Sequence, residues 1–159
     1  MKVGFYAGSF DPFTIGHLEV LKKASEIFDK LIVGIGFNPD KKRRFNEQEM
    51  KTAIEKVLMR ENLISTEVVV YDGLTVDAAK KCEALFLIRG IRNAADYAFE
   101  ENLASINEEI SGLDTIYIRA GEYNNVSSSF VYELLKNGKD VSKYLPEEIL
   151  KIVQKNIKN

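Results

Sequence analysis

The chain has 159 residues, 45% hydrophobic and 29% charged, a balance that supports one folded domain over residues 1–159 and argues against disorder. A formal net charge of −2 gives no electrostatic case for binding nucleic acid or an anionic membrane surface. The single cysteine, Cys82, and single histidine, His17, exclude an internal disulfide and a zinc cluster of Cys and His, and no apolar run approaches the ~18 residues of a membrane span.

The amino-terminal apolar run is broken after a few residues, unlike a secretory leader, so a soluble protein of the reducing cytoplasm is expected. Residues 3–7 are apolar or aromatic, as a buried parallel strand would be. Gly8, Asp11-Pro12 and Gly16 then punctuate a loop, and from Leu18 apolar residues recur at helical spacing through Leu21, Ala24, Ile27 and Phe28. Strand, glycine-bearing loop and helix in that order bring backbone N–H groups and a positive helix end to one point, which suits a phosphate. His17 falls where that helix begins, and an imidazole there can donate to a phosphoryl oxygen, charged or neutral. Ser9 adds a short hydroxyl to the same loop, where it can also serve as an ordinary turn residue.

Residues 31–37 form the second predicted strand. Gly34 and Gly36 do not begin a dinucleotide fingerprint, because Pro39 stands at the third glycine position, and no Walker A sequence is present. After the turn at Asn38, Pro39 and Asp40, the run Lys41, Lys42, Arg43, Arg44 lies beyond a strand's carboxyl end, where open parallel sheets bind ligands. Asn46 and Glu49 have capping-box spacing before a helix with Met50, Ala53, Ile54, Val57 and Leu58 on its core face. Residues 68–71 are the third strand, and Leu74, Thr75 and Val76 open a short helix toward Cys82.

Residues 85–88 are the fourth strand, followed at once by Arg89, Gly90, Ile91 and Arg92. Burying an unpaired arginine is costly, and two guanidinium groups flanking a glycine at a strand end offer paired donors for phosphate oxygens. Asn93 caps a long helix running to Ile110, with Asp96 at its third position and Glu100 one turn on. Residues 114–119 are the fifth strand. Asn124, Asn125, Val126, Ser127, Ser128 and Ser129 precede a helix carrying Phe130, Val131, Leu134 and Leu135. One serine is enough to cap it, so the remaining hydroxyls and the free N–H groups make a second anion site. Gly138 ends that helix. Pro146 opens the last one, with Glu147 and Glu148 in its first turn and Ile149, Ile152, Val153 and Ile157 on one face. Alternating strands and helices argue for an α/β fold with a parallel sheet.

Thr14-Ile15-Gly16-His17 resembles the (T/H)xGH signature of a nucleotidyltransferase superfamily. The threonine, with Gly8-Ser9-Phe10-Asp11-Pro12, is similar to the phosphopantetheine adenylyltransferase family, which usually carries threonine where Ser9 stands. Arg89-Gly90-Ile91-Arg92 resembles that family's RG(L/I)R, and Val126-Ser127-Ser128-Ser129 its ISSS motif, with valine for isoleucine. The resemblance runs from Tyr6 to Pro146. It implies a Rossmann-like, doubly wound sheet of about five parallel strands with flanking helices. It also implies adenylyl transfer from ATP, with magnesium, to 4′-phosphopantetheine in coenzyme A biosynthesis, by a cytoplasmic homohexamer.

By the same resemblance, His17, Lys41 and Arg92 are catalytic. ATP meets Ser9, Phe10, His17, Gly90, Ile91, Arg92, Glu100 and the stretch Tyr123, Asn124, Asn125, Val126, Ser127, Ser128, Ser129. The acceptor meets Ser9, Lys41, Leu74, Thr75 and Arg89, and magnesium is expected to be held mainly by phosphates and water, with no protein ligand assigned. Lys42, Arg43 and Arg44 are expected to be solvated or at the entrance. Two rivals remain at this stage: a related enzyme using nicotinamide mononucleotide or glycerol phosphate, against which Thr14 and the Arg89 motif speak, and a nucleotide-binding protein without catalysis.

Overall fold

A computed structural model describes residues 1–157. Its strands are β1 (Val3–Gly8), β2 (Lys30–Gly36), β3 (Thr66–Tyr71), β4 (Phe86–Gly90) and β5 (Asp114–Ile118). Its helices are α1 (Ile15–Ser25), α2 (Glu47–Arg60), α3 (Thr75–Lys81), α4 (Ala94–Ser111), α5 (Ser128–Lys136) and α6 (Glu147–Ile157). The strands form one sheet in the order β3-β2-β1-β4-β5, and all four neighbouring pairs are parallel. The expected doubly wound sheet of five parallel strands is borne out. Chain order reverses between β1 and β4, so the crevice for a ligand opens beyond the carboxyl ends of those two strands.

The two faces of the sheet are packed unequally. On one, Tyr6, Val33, Ile35, Val68, Ile88 and Ile118 meet α1, α2, α5 and α6 in a large core. On the other, Val3, Phe5, Ala7, Ile32 and Leu87 meet a smaller cluster that includes Val76 and Ala79 of α3. Within α4 only Glu100 is buried. No helix among the described residues is long and apolar enough to cross a membrane.

Boundaries differ from the sequence reading where polar residues lie inside elements. β3 is an edge strand and starts at Thr66, because an edge tolerates Thr66 and Glu67. β4 extends through Arg89 and Gly90, which pair with Tyr117 and Ile118 of β5. Helix α1 begins at Ile15, so His17 is its third residue, and the chain turns away after Ser25 instead of carrying the helix to Phe28. Asn46 caps α2 by accepting from Gln48 N–H and Glu49 N–H, the expected half of a capping box.

Helices α1, α2 and α6 are joined by ion pairs at the surface. Arg60 Nη2 donates to Glu148 Oε2 at 3.1 Å, Arg60 Nη1 to Glu61 Oε1 at 2.7 Å, and Lys22 Nζ lies 3.0 Å from Glu61 Oε2. Hydrogen bonds from Arg60 and Lys22 hold the carboxyls of Glu148 and Glu61 below their ordinary pKa. Stability from such depressed carboxyls is present above the ordinary carboxylate pKa and lost as pH falls through the lowered values. Arg60 is nearly half exposed, so Arg60→Ala is expected to cost about 1 kcal/mol, or a Tm drop of about 2–4 °C at neutral pH. Thermal melts across pH test this: the gap between the proteins should narrow on acidification below about pH 4, and a constant gap would show that the ion pairs contribute nothing.

Candidate active site

The loop after β1 and the start of α1 are held by a reciprocal cap. Thr14, fully buried, accepts from His17 N–H at 3.3 Å, and His17 Nδ1 accepts from Thr14 N–H at 2.9 Å. A backbone amide can only donate, so Nδ1 carries no proton in the neutral ring, and the proton sits on Nε2. The imidazole also packs against aromatic rings, with centroids 4.9 Å from Phe10 and 5.5 Å from Phe13. Burial, and then the positive charges of Arg89 and Arg92, lower its pKa to about 3. The sequence allowed either protonation state; the structure gives a neutral ring with a single N–H on a residue that lines the crevice.

That crevice encloses about 310 Å³ between the ends of β1 and β4 and the starts of α1, α4 and α5. Ser9, exposed, Phe10 and His17 line one side, and Gly90, Ile91 and Arg92 the other. Tyr123, Val126, Ser127, Ser128 and Ser129 close the far end. The Phe10 ring is buried, in a residue with φ of 45°, so this residue serves as a packed floor under His17. Gly16 lets the next segment in: a Cβ there would stand 3.1 Å from Val126 O and 3.2 Å from Tyr123 O.

Two arginines enter from the β4 end, and each is paired. Arg89 Nε donates to Glu100 Oε2 at 2.8 Å, its Nη2 to Glu100 Oε1 at 2.7 Å, and its Nη1 to Ala7 O. Burial opposes the charge on Arg89, but Glu100 outweighs it and raises its pKa. The sequence reading put Glu100 on a helix surface. It is instead one of two buried polar residues among the described residues, turned inward because Arg89 offers it a fork of donors. Arg92 Nε donates to Asp96 Oδ2 at 2.8 Å, and Asp96 in turn receives Arg92 N–H at 3.1 Å. Hydrogen bonding from Arg92 keeps the Asp96 carboxyl below its usual pKa. Asp96 lines the crevice and was not foreseen there, although its spacing of four from Arg92 is a signal for such a pair.

The three serines are less free than their spelling suggests. Ser127 caps α5, accepting from Phe130 N–H at 3.0 Å. Ser128 Oγ donates to Pro12 O at 2.7 Å, and Ser129 Oγ lies 3.4 Å from Arg44 Nη2. The expected surplus of hydroxyls narrows to that of Ser129, exposed at the crevice, which stands beside the first backbone N–H groups of α5.

The cationic run also needs correction. Arg43 is not solvated: it is largely buried, with Nη1 donating to Ser9 O at 2.7 Å and Nε to Phe45 O at 2.9 Å. Asp11 completes this lock, accepting from Arg44 N–H and Phe45 N–H at 2.9 Å each. Arg43 and Asp11 thus rigidify the Ser9 loop from a distance no linear spacing reveals. Arg44 lies over the Tyr132 ring at 4.6 Å, and Lys42 is exposed as expected.

Five expected site residues lie outside the crevice wall. Lys41 is on an exposed turn, its N–H bonded to Asn38 O at 3.0 Å. Leu74 is exposed and caps α3 without a side-chain bond. Thr75 is the first residue of α3, with Oγ1 2.8 Å from Tyr71 Oη, and lines a smaller cavity that Arg89 and Glu100 share. Asn125 is exposed, and Asn124 is partly buried, with a buried Oδ1 that has no partner among the described residues.

Residues 5–134 match a family model described as cytidylyltransferase-like. A protein of Streptococcus pneumoniae (strain Taiwan19F-14) named phosphopantetheine adenylyltransferase is 44% identical over 161 residues, covering 99% of this chain and 98% of that one. One of the same name from Lachnoclostridium phytofermentans is 39% identical, covering 96% and 94%. Among solved structures, a Vibrio parahaemolyticus protein described as a candidate nicotinate-nucleotide adenylyltransferase superposes with a TM-score of 0.70 over 99% of this chain and 95% of that one. At 16% identity that last likeness speaks to the fold alone.

Proposed function

Because this chain belongs to the cytidylyltransferase-like family and, within it, to the phosphopantetheine adenylyltransferases, we propose how its crevice moves the adenylyl group of ATP onto 4′-phosphopantetheine, giving 3′-dephospho-coenzyme A and pyrophosphate. The observation that carries the residue assignment is the neutral His17, whose one N–H is fixed on Nε2 by the cap with Thr14.

The attacking group needs no base. A phosphate monoester has a second pKa of about 6 and is largely dianionic at neutral pH. Its oxygen attacks the α-phosphorus of ATP as the bond to the pyrophosphate oxygen breaks, so the chain must align the two and neutralise charge. His17 Nε2–H donates to a non-bridging oxygen of the α-phosphoryl group, a bond that strengthens as charge builds there. Arg92 and the amides opening α5 receive the β- and γ-phosphates, with Gly90, Ile91, Val126 and Tyr123 around the nucleotide and Asn124 and Asn125 supporting that loop. Ser9 orients the attacking phosphate, and Arg89, held by Glu100, binds it. Lys41 reaches in from its exposed turn with a long flexible stem to join Arg89. Leu74 and Thr75 meet the pantetheine arm.

Magnesium accompanies ATP in this proposal. The crevice carboxylates, Asp96 and Glu100, are each committed to an arginine, which suits an ion held by the triphosphate and water rather than by side chains. Bound there, the ion would offset negative charge on the departing pyrophosphate.

Pyrophosphate release with ATP, magnesium and a panel of acceptors tests the reading. Release with 4′-phosphopantetheine and not with nicotinamide mononucleotide or glycerol 3-phosphate is expected. Release with only one of the latter two would overturn the acceptor, and ATP binding without release would favour a non-catalytic nucleotide binder.

We further propose a cytoplasmic homohexamer. Phe99, Leu103, Ile106 and Ile110 make one exposed apolar stripe along α4, spaced as a helix-packing seam is. Six copies is the number the resemblance implies; the stripe supports self-association. Phe99→Glu combined with Ile106→Glu is expected to reduce the assembly to monomers in sedimentation velocity. A wild-type monomer at micromolar concentration would contradict the proposal.

A further inference from the structure

Tyr6 is a polar residue of the crevice with no assigned task. It stands on β1 among phenylalanines that build the same core, and only 4% of it is exposed. Its ring lies edge-on to Phe10 at 5.1 Å and to His17 at 6.3 Å, a setting any aromatic ring would satisfy. Its hydroxyl makes no hydrogen bond with any described residue. Among the described residues the fully buried side-chain atoms without a partner are Thr115 Oγ1 and Asn124 Oδ1, so the Tyr6 hydroxyl is left open to the crevice, where phenylalanine would offer no donor. The hydroxyl is the part of Tyr6 that reaches the crevice: it lies 3.6 Å from where a Cβ on Gly90 would stand, and Val20 Cγ2 lies 3.5 Å from the same point. It therefore emerges from the floor between α1 and the bare backbone of β4, with room above it for a ligand. Burial raises its pKa well above that of an ordinary tyrosine, so it stays protonated and able to donate.

Its depth says which part of a ligand it meets. Val20 follows His17 by three residues, one turn further along the same face of α1. The start of α5 lies at the other end, ahead of α1, where Ser128 Oγ donates to Pro12 O and Ser129 meets Arg44. With the α-phosphoryl group at His17 and the β- and γ-phosphates at α5, the floor beside Val20 and Gly90 lies toward the nucleoside. Resting on that reading of the crevice, we infer that Tyr6 Oη donates a hydrogen bond to the ribose of the bound nucleotide, making Tyr6 a binding residue for the nucleoside half.

Calorimetric titration of the wild-type protein and Tyr6→Phe with AMP and, separately, with pyrophosphate tests this, alongside thermal melts without ligand. The variant should bind AMP about 10-fold more weakly and pyrophosphate as the wild type does. Its Tm without ligand should be unchanged, since the hydroxyl it loses has no partner in the protein. Equal AMP affinity in the two proteins would overturn the inference, as would an equal loss for pyrophosphate. A clear fall in Tm would do so too, by showing that the hydroxyl has an internal partner. A wild-type protein that binds neither ligand would sink the nucleotide reading itself, and this inference with it.

Discussion

Replacing His17 with alanine should lower kcat by about 10²–10³-fold while KM for ATP moves only a few-fold, the pattern of a contact that strengthens in the transition state. The size follows from how the ring is prepared. Thr14 N–H fixes Nδ1 as the acceptor, so Nε2–H is in place before substrate arrives and no tautomer must be selected during the reaction. With a folded pKa of about 3, His17 should give no inflection in kcat near pH 6.5. The same depressed pKa has a consequence for stability. The ring is neutral when folded, while the unfolded chain takes up a proton below its ordinary pKa of about 6.5. The stability it contributes is therefore complete above that value and is lost as pH falls toward about 3. Single-turnover rates and melts for wild type and His17→Ala would check both parts. A bell-shaped kcat profile with a limb near 6.5 that vanishes in the variant would show a histidine that titrates during catalysis, against this account.

Glu100→Gln is expected to cost about 2–3 kcal/mol, a Tm loss of roughly 5–10 °C, because it strips the carboxylate from a mostly buried arginine. The side chains of Glu100 and Arg89 are 10% and 31% exposed, so water screens the loss only in part and the lower end of the range for broken buried pairs applies. Activity should fall as well, chiefly through a raised KM for phosphopantetheine, because Arg89 loses the two bonds that aim it. A paired change, Arg89→Met with Glu100→Leu, separates the two effects. It removes both charges, so it should recover much of the lost stability and none of the lost activity. A Glu100→Gln protein with wild-type Tm would show that the pair is not what anchors α4 to the sheet.

These two sites show where the sequence was readable. The parallel strands announced themselves because both faces are covered, which leaves apolar runs such as residues 31–33 and 68–70. Strand ends were harder: Thr66 and Glu67 extend an edge strand, and Arg89 continues β4 under the protection of a partner eleven residues on. Thr14 and His17 were legible as a motif but not as a cap, because Gly16 between them reads as loop. Arg43 and Asp11 lie 32 positions apart in sequence and meet only through the fold, so their joint grip on the Ser9 loop left no linear trace. Tyr6 looked like one more apolar strand residue, since strand periodicity says nothing about the polar tip of a ring.

The measurement that tests the account most directly is the identity of the product. The protein would be incubated with ATP, magnesium and 4′-phosphopantetheine, and the mixture resolved by mass spectrometry. The account predicts 3′-dephospho-coenzyme A and pyrophosphate in equal amounts, at a rate that collapses in His17→Ala. ADP with a doubly phosphorylated pantetheine, or no consumption of ATP, would contradict it.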